Sequence, residues 1–93
     1  MNAEAPTVYR VRGDRVAWRA ARDETVLLDI RQSVYMALDR SGAMLWPHLM
    51  EGATAAELAE VLAERGPVEL ERATADVHAF LAELEAIDLI ERL

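Results

Sequence analysis

The sequence predicts an α+β domain in which a three-stranded antiparallel sheet is followed by three helices. Two patterns carry the prediction. Up to Leu38 the apolar residues fall into short stretches with a period near two, parted by brief polar breaks; after Leu38 they recur every third or fourth residue almost to the end of the chain. Length sets the scale, because 93 residues of which 53% are hydrophobic suffice for one core and cannot build two.

Residues 16–20 alternate, and so do residues 25–30, where Val26, Leu28 and Ile30 share one face of a strand. Arg22, Asp23 and Glu24 form a polar turn between them. A second break, Arg31 to Ser33, precedes Val34–Leu38, which carries no charge and is apolar on both faces. Connections this short join antiparallel neighbours, so the three segments make a meander with strand 33–38 on an edge. Residues 1–14 form an N-terminal arm or an extra strand, with Val8–Val11 as the candidate stretch; residues 15–93 form the single domain.

Asp39 or Ser41 can cap a first helix bearing Ala43, Leu45, Trp46, Leu49 and Met50, with Gly52 as its stop. Pro47 lies inside it, and an interior proline costs on the order of 3 kcal/mol, so the expectation is a kink or a helix formed only after Trp46. Thr54 and Glu57 make a capping box for a second helix with Leu58, Val61 and Leu62 on one face, ending at Gly66 and Pro67. A third helix begins near Leu70 and spaces Ala73, Val77, Phe80, Leu81, Leu84 and Ile87 by threes and fours. Residues 89–93 either extend that helix or return as a short strand.

Composition excludes much chemistry. There is no Cys, which removes disulfides and thiol catalysis. No apolar run approaches the roughly 20 residues that cross a bilayer, and Met1–Pro6 lacks the basic and apolar regions of a secretion signal; a cytoplasmic protein that does not engage membrane is expected. The net charge of −7 is uneven, with three Arg against eleven acids in residues 51–93. Acids at 71, 76, 83 and 85 on the third helix disfavour a nucleic-acid partner. His48 and His78 have no companion ligand, Ser33 and Ser41 lack a nucleophile motif, and no glycine-rich phosphate loop occurs, so neither catalysis, a metal nor a cofactor is expected.

One feature does not fit a bland domain. Edge strands are normally guarded by charge, proline or a bulge, and Val34, Tyr35, Met36, Ala37 and Leu38 offer none. Such an edge docks another strand, unless residues 89–93, the N-terminal arm or a second copy covers it. The apolar set of the third helix is wide enough to bury one side and line a groove with the other, with Val77 and Phe80 turned one way and Leu81 and Leu84 toward the core. Met36 and Phe80 would give that groove an adaptable wall.

Residues 26–46, in which a hydrophobic strand, a short turn, a second strand ending at Leu38 and Asp39, and a helix start from Ser41 to Trp46 follow one another, resemble the PqqD-like proteins. This family comprises peptide chaperones of pyrroloquinoline quinone biosynthesis and the recognition elements for leader peptides of ribosomally made, modified peptides. Gly52–Ala59, with Thr54 and Glu57, and Ala75–Leu84, with Asp76, Val77, Phe80 and Leu81, are similar to two further stretches of the family pattern, so the resemblance covers about residues 15–93. It implies a winged helix-turn-helix-like fold and a leader peptide added antiparallel to the third strand. The implied backbone partners are Ser33, Val34, Tyr35, Met36, Ala37 and Leu38, with a groove lined by Val34, Met36, Ala73, Val77, Phe80 and Leu81, and Asp76 at its rim for a basic leader residue. The size and Arg-rich, Ala-rich composition look most like the stand-alone leader-binding protein of split lasso-peptide systems. That likeness implies a non-catalytic adaptor with a separate leader peptidase, a cysteine protease, and a cyclase as partners. A chaperone for a radical enzyme, and more distantly a winged-helix DNA-binding regulator, are the alternatives. Asp39 in place of Asn, Pro47, and Asp88 in place of a helix-ending Gly depart from the pattern.

Overall fold

The computed structural model describes residues 6–22, 24–66 and 68–93; residues 1–5 of the expected arm, Asp23 of the first turn and Pro67 of the second helix stop lie outside the described residues. The chain runs through β1 (Val8–Val11), β2 (Val16–Ala21), β3 (Glu24–Asp29), β4 (Val34–Leu38), α1 (Arg40–Glu51), β5 (Ala53–Thr54), α2 (Ala55–Arg65), α3 (Leu70–Ala86) and β6 (Ile90–Arg92). The strands β2, β3 and β4 form the expected antiparallel meander with β4 at one edge. The three helices follow it, giving the α+β, winged helix-turn-helix-like arrangement. A second sheet is ordered β5-β1-β6: of the alternatives left open, Val8–Val11 is a strand, the middle one, and the chain's tail returns as β6, while their pairing with each other and with Ala53–Thr54 lies outside the sequence expectation.

Each turn has an identifiable cause. At β3–β4 the Asp29 Oδ1 accepts from the Arg31 and Gln32 N–H groups at 3.1 and 3.2 Å, and the Asp29 carbonyl accepts from the Ser33 N–H at 2.7 Å. Ser33 has φ 57°, the left-handed residue that closes a four-residue hairpin loop, residues 30–33. This buried carboxylate is therefore satisfied by the turn it builds. It also fixes the register that turns Thr25, Leu27 and Asp29 inward. Val26 and Leu28 do share a face, but it is the outer, half-buried one, and Ile30 lies beyond the strand and is exposed.

Helix α1 starts where Asp39 caps it, its Oδ1 accepting from the Gly42 N–H at 2.8 Å. It runs unbroken from Arg40 through Pro47 to Glu51, so the expected start after Trp46 is corrected. The proline sits on the exposed side of the helix, and the helix loses only the N–H that would have bonded the Ala43 carbonyl. The capping box of α2 is complete, with Glu57 N–H to Thr54 Oγ1 at 3.1 Å and Thr54 N–H to Glu57 Oε1 at 2.8 Å.

Helix α3 ends in a Schellman motif. The Asp88 N–H donates to the Glu85 carbonyl and the Leu89 N–H to the Leu84 carbonyl, both at 3.0 Å, while Asp88 takes φ 64°. Leu84 and Leu89 are both buried and supply the apolar contact of the motif. Asp88 occupies the position where Gly would be free of strain, and its carboxylate is held by three cations: Arg15 at 2.6 Å, Arg12 at 3.5 Å and Arg31 at 3.6 Å. The hydrogen bond from Arg15, with the charges of Arg12, Arg15 and Arg31, holds its carboxyl below the usual range against a smaller opposing effect of desolvation.

The core lies between the inner face of the meander and the helices. Trp46 is its largest fully buried side chain, with Leu27, Leu45, Leu49, Leu58, Val77, Leu84 and Leu89 around it. Each such side chain contributes about 1.5–3 kcal/mol of transfer free energy. Trp18 on β2 meets Trp46 edge to face at a centroid separation of 6.3 Å and stays partly exposed.

Candidate functional site

Hydrogen bonding in the meander shows which backbone groups are free. The Ile30 N–H donates to the Arg15 carbonyl at 3.0 Å, just beyond the β2–β3 ladder. With Val16 opposite Asp29, alternation along an antiparallel pair turns the backbone groups of Thr25, Leu27 and Asp29 toward β4. Val34, Met36 and Leu38 therefore spend theirs on β3, and Tyr35 and Ala37 present theirs at the outer edge. Among the described residues no strand pairs with that edge. The tail, one of the segments expected to cover it, pairs instead with β1, Ile90 lying opposite Val11.

A groove runs along this edge between β4 and α3, in three depressions that share walls. The first, about 150 Å³, lies between Val34, Met36, Ile87 and Leu89, with Asp29 and Gln32 at its end. The second, about 200 Å³, continues past Met36 and Leu38 to Phe80, Glu83 and Leu84. The third, about 290 Å³, opens between the first turn of α1, at Asp39, Ser41 and Gly42, and Asp76, Ala79, Phe80 and Glu83. Gly42 keeps this approach close: a Cβ at that position would stand 3.2 Å from the Phe80 ring and 3.3 Å from the Leu38 Cβ, so these neighbours would have to give by a few tenths of an ångström. Asp39, Asp76 and Glu83 make this end acidic, and among the described residues none of them enters an ion pair.

The structure brings Val34, Met36, Leu38, Asp76 and Phe80 together on this groove, with the backbones of Tyr35 and Ala37 along it. It does not bring Ala73, Val77 and Leu81 there. Ala73 and Val77 are fully buried and Leu81 is 2% exposed, so the expectation that they line the groove is corrected: with Leu84 they form the stripe that packs into the core. Ser33 is likewise set apart, since its left-handed backbone belongs to the turn and the extended strand begins at Val34. Residues 76, 80, 83 and 87 recur at spacings of four, three and four, a second stripe of α3 beside the buried one. Sequence reasoning missed Glu83 because it sought the groove within the apolar set, and it left Ile87, a member of that set, unassigned to either side; following the helical stripe that holds Asp76 and Phe80 finds both.

The fold and groove define a small winged helix-turn-helix-like α+β domain with an open strand edge above a helix wall. Residues 24–90 match the pattern of the family described as Coenzyme PQQ synthesis protein D (PqqD), and the chain belongs to that family. Two solved structures share its fold over nearly their whole length. One is TbiB1 in complex with the TbiA(beta) leader peptide, with a TM-score of 0.80 and 28% identity over 88% of this chain and 94% of that one. The other is lasso peptide synthetase B1 complexed with the leader peptide, with a TM-score of 0.77 and 25% identity over 89% and 96%. No curated protein matches the sequence.

Proposed function

We propose that this protein is a non-catalytic, cytoplasmic leader-binding adaptor of lasso-peptide biosynthesis. It captures the leader of a precursor peptide as an antiparallel strand on β4 and delivers it to a separate leader peptidase, a cysteine protease, and then to a cyclase. The observation that carries this reading is the uncovered β4 edge beside an apolar, helix-walled groove, in a chain whose structural neighbours were solved with leader peptides. Strand addition draws affinity from main-chain hydrogen bonds and specificity from alternate side chains. The free groups of Tyr35 and Ala37 supply the former, and the walls of Met36, Phe80 and Ile87 receive the latter. Micromolar to nanomolar capture needs about 8–12 kcal/mol, within reach of such pairing plus two or three buried anchors. A basic leader residue beside exposed Asp76 adds at most about 1 kcal/mol.

The test is fluorescence anisotropy with a labelled leader from the precursor gene neighbouring this one. The wild-type protein should bind it. Ala37→Pro removes a free edge N–H without touching the β3 ladder and should abolish binding, as should Met36→Asp, with circular dichroism confirming that both variants fold. Absence of binding by the folded wild-type protein to any local precursor overturns the reading.

A further inference from the structure

The meander has two edges. The outer edge of β2 is as free as that of β4, since the order β2-β3-β4 leaves it without a neighbour among the described residues. By the alternation derived above, the N–H and C=O groups of Val16, Trp18 and Ala20 point out of it. Residues 17–21 are all exposed, no proline or bulge guards them, and Arg19 is the one charge within the strand. A groove of about 350 Å³ lies beside this edge as well, walled by Trp18 and Ala20 on one side and by Ala43, Met44 and Pro47 of α1 on the other, with Trp46 also lining it.

Trp46 is fully buried, so its indole N–H, although without an acceptor among the described residues, is not presented to an incoming chain. The α1 wall offers a backbone acceptor instead. Pro47 supplies no N–H to the Ala43 carbonyl on the opposite wall. Charge then says what kind of chain fits. Arg22 and Arg40 line the groove, whereas Arg19 lies on the other face of the sheet with Val26, Leu28 and Tyr35; neither Arg22 nor Arg40 enters an ion pair among the described residues. The β4 groove carries Asp39, Asp76 and Glu83 instead. In a protein of net charge −7, the two edges thus bear opposite signs. Pairing of β2 with the β2 of a second copy is disfavoured by like charge in the register that sets Arg19 opposite Arg19.

We propose that the β2 edge and its groove form a second strand-addition site, which takes an extended acidic segment of a processing enzyme while β4 holds the leader. The identity of the enzyme rests on the leader-binding reading; the site and its preference for an acidic extended chain do not. An adaptor built this way engages client and enzyme on opposite margins of one sheet, without competition between them.

The two tryptophans of the chain, Trp18 and Trp46, both line this groove, so their emission reports on it directly. The probes are a synthetic acetylated peptide alternating glutamate with valine, its counterpart alternating lysine with valine, and peptides tiled across the leader peptidase encoded beside this chain. The acidic probe and one acidic segment of the peptidase should shift the tryptophan emission, equally with and without saturating leader, and the lysine probe should not. Ala20→Pro, which removes an outward N–H, should abolish the response, and Arg22→Glu with Arg40→Glu should weaken it at least tenfold. Labelled-leader anisotropy should remain unchanged in both variants. Unaltered emission with the acidic probe, an equal response to the lysine probe, persistence of the response in both variants, or displacement of the probe by the leader overturns the proposal. So does head-to-tail self-association abolished by Ala20→Pro, which would assign the edge to a second copy. Failure of leader anisotropy beside an intact emission response would instead sink the leader reading and leave the β2 site standing.

Discussion

Asp88 shows how a single residue can carry strain and interaction together. Its left-handed backbone would suit Gly, yet Gly could not gather Arg12, Arg15 and Arg31, which come from the β1–β2 connection and the β3–β4 turn. Because its carboxyl titrates lower in the folded protein than in the unfolded chain, the stability it contributes is fully present above the ordinary carboxylate pKa. That stability is lost as pH falls through the depressed folded value. Asp88→Asn, which keeps a residue tolerant of the left-handed region, should lower the melting temperature at neutral pH and flatten its decline in acid, as thermal melts from pH 7 to pH 2 would show. At Gly42 the constraint is space. Gly42→Ala puts a methyl 3.2 Å from the Phe80 ring, so the ring must give by a few tenths of an ångström, against a helix-propensity gain of about 0.5–1 kcal/mol. Labelled-leader anisotropy should therefore register the displaced groove wall as weaker binding.

At the scale of elements, Thr54→Ala should cost about 1 kcal/mol, since it leaves a helix-start N–H of α2 without its acceptor; urea unfolding measures it. The meander, the capping box and the unguarded edge at Val34–Leu38 were legible in the sequence because each rests on local pattern, alternation or a cap at fixed spacing. The second sheet was legible only in part, since strands at Val8–Val11 and within residues 89–93 were among the alternatives and their pairing was not. Its strands of four, two and three residues are too short to display a period, and pairing between residues as distant as Tyr9 and Arg92 leaves no local trace. The groove was half legible for another reason. Apolar residues at helical spacing mark the buried stripe 73, 77, 81 and 84, whereas a groove wall open to solvent mixes Phe80 and Ile87 with Asp76 and Glu83. Hydrophobicity alone therefore points one stripe away from it. Even the inward face of β3 follows Asp29 and its turn rather than the more apolar Val26 and Leu28.

For the whole molecule, ligand binding is linked to stability. Leader at 100 times its Kd should stabilise the fold by about 2.7 kcal/mol, a rise of roughly 10–20 °C in Tm for a domain of this size, and Ala37→Pro should show no rise. The small sheet bears on how the protein is made. The meander closes through neighbours in sequence and can pair as soon as residues 16–38 are available, but β1 must wait for β5, at Ala53–Thr54, on one side and for β6, at Ile90–Arg92, on the other. During translation, then, the β4 edge can be in place while Val8–Val11 still lacks its β6 neighbour. A ribosome stalled before residue 90 would hold a nascent chain able to pair strands at both margins of the meander and unable to complete its fold.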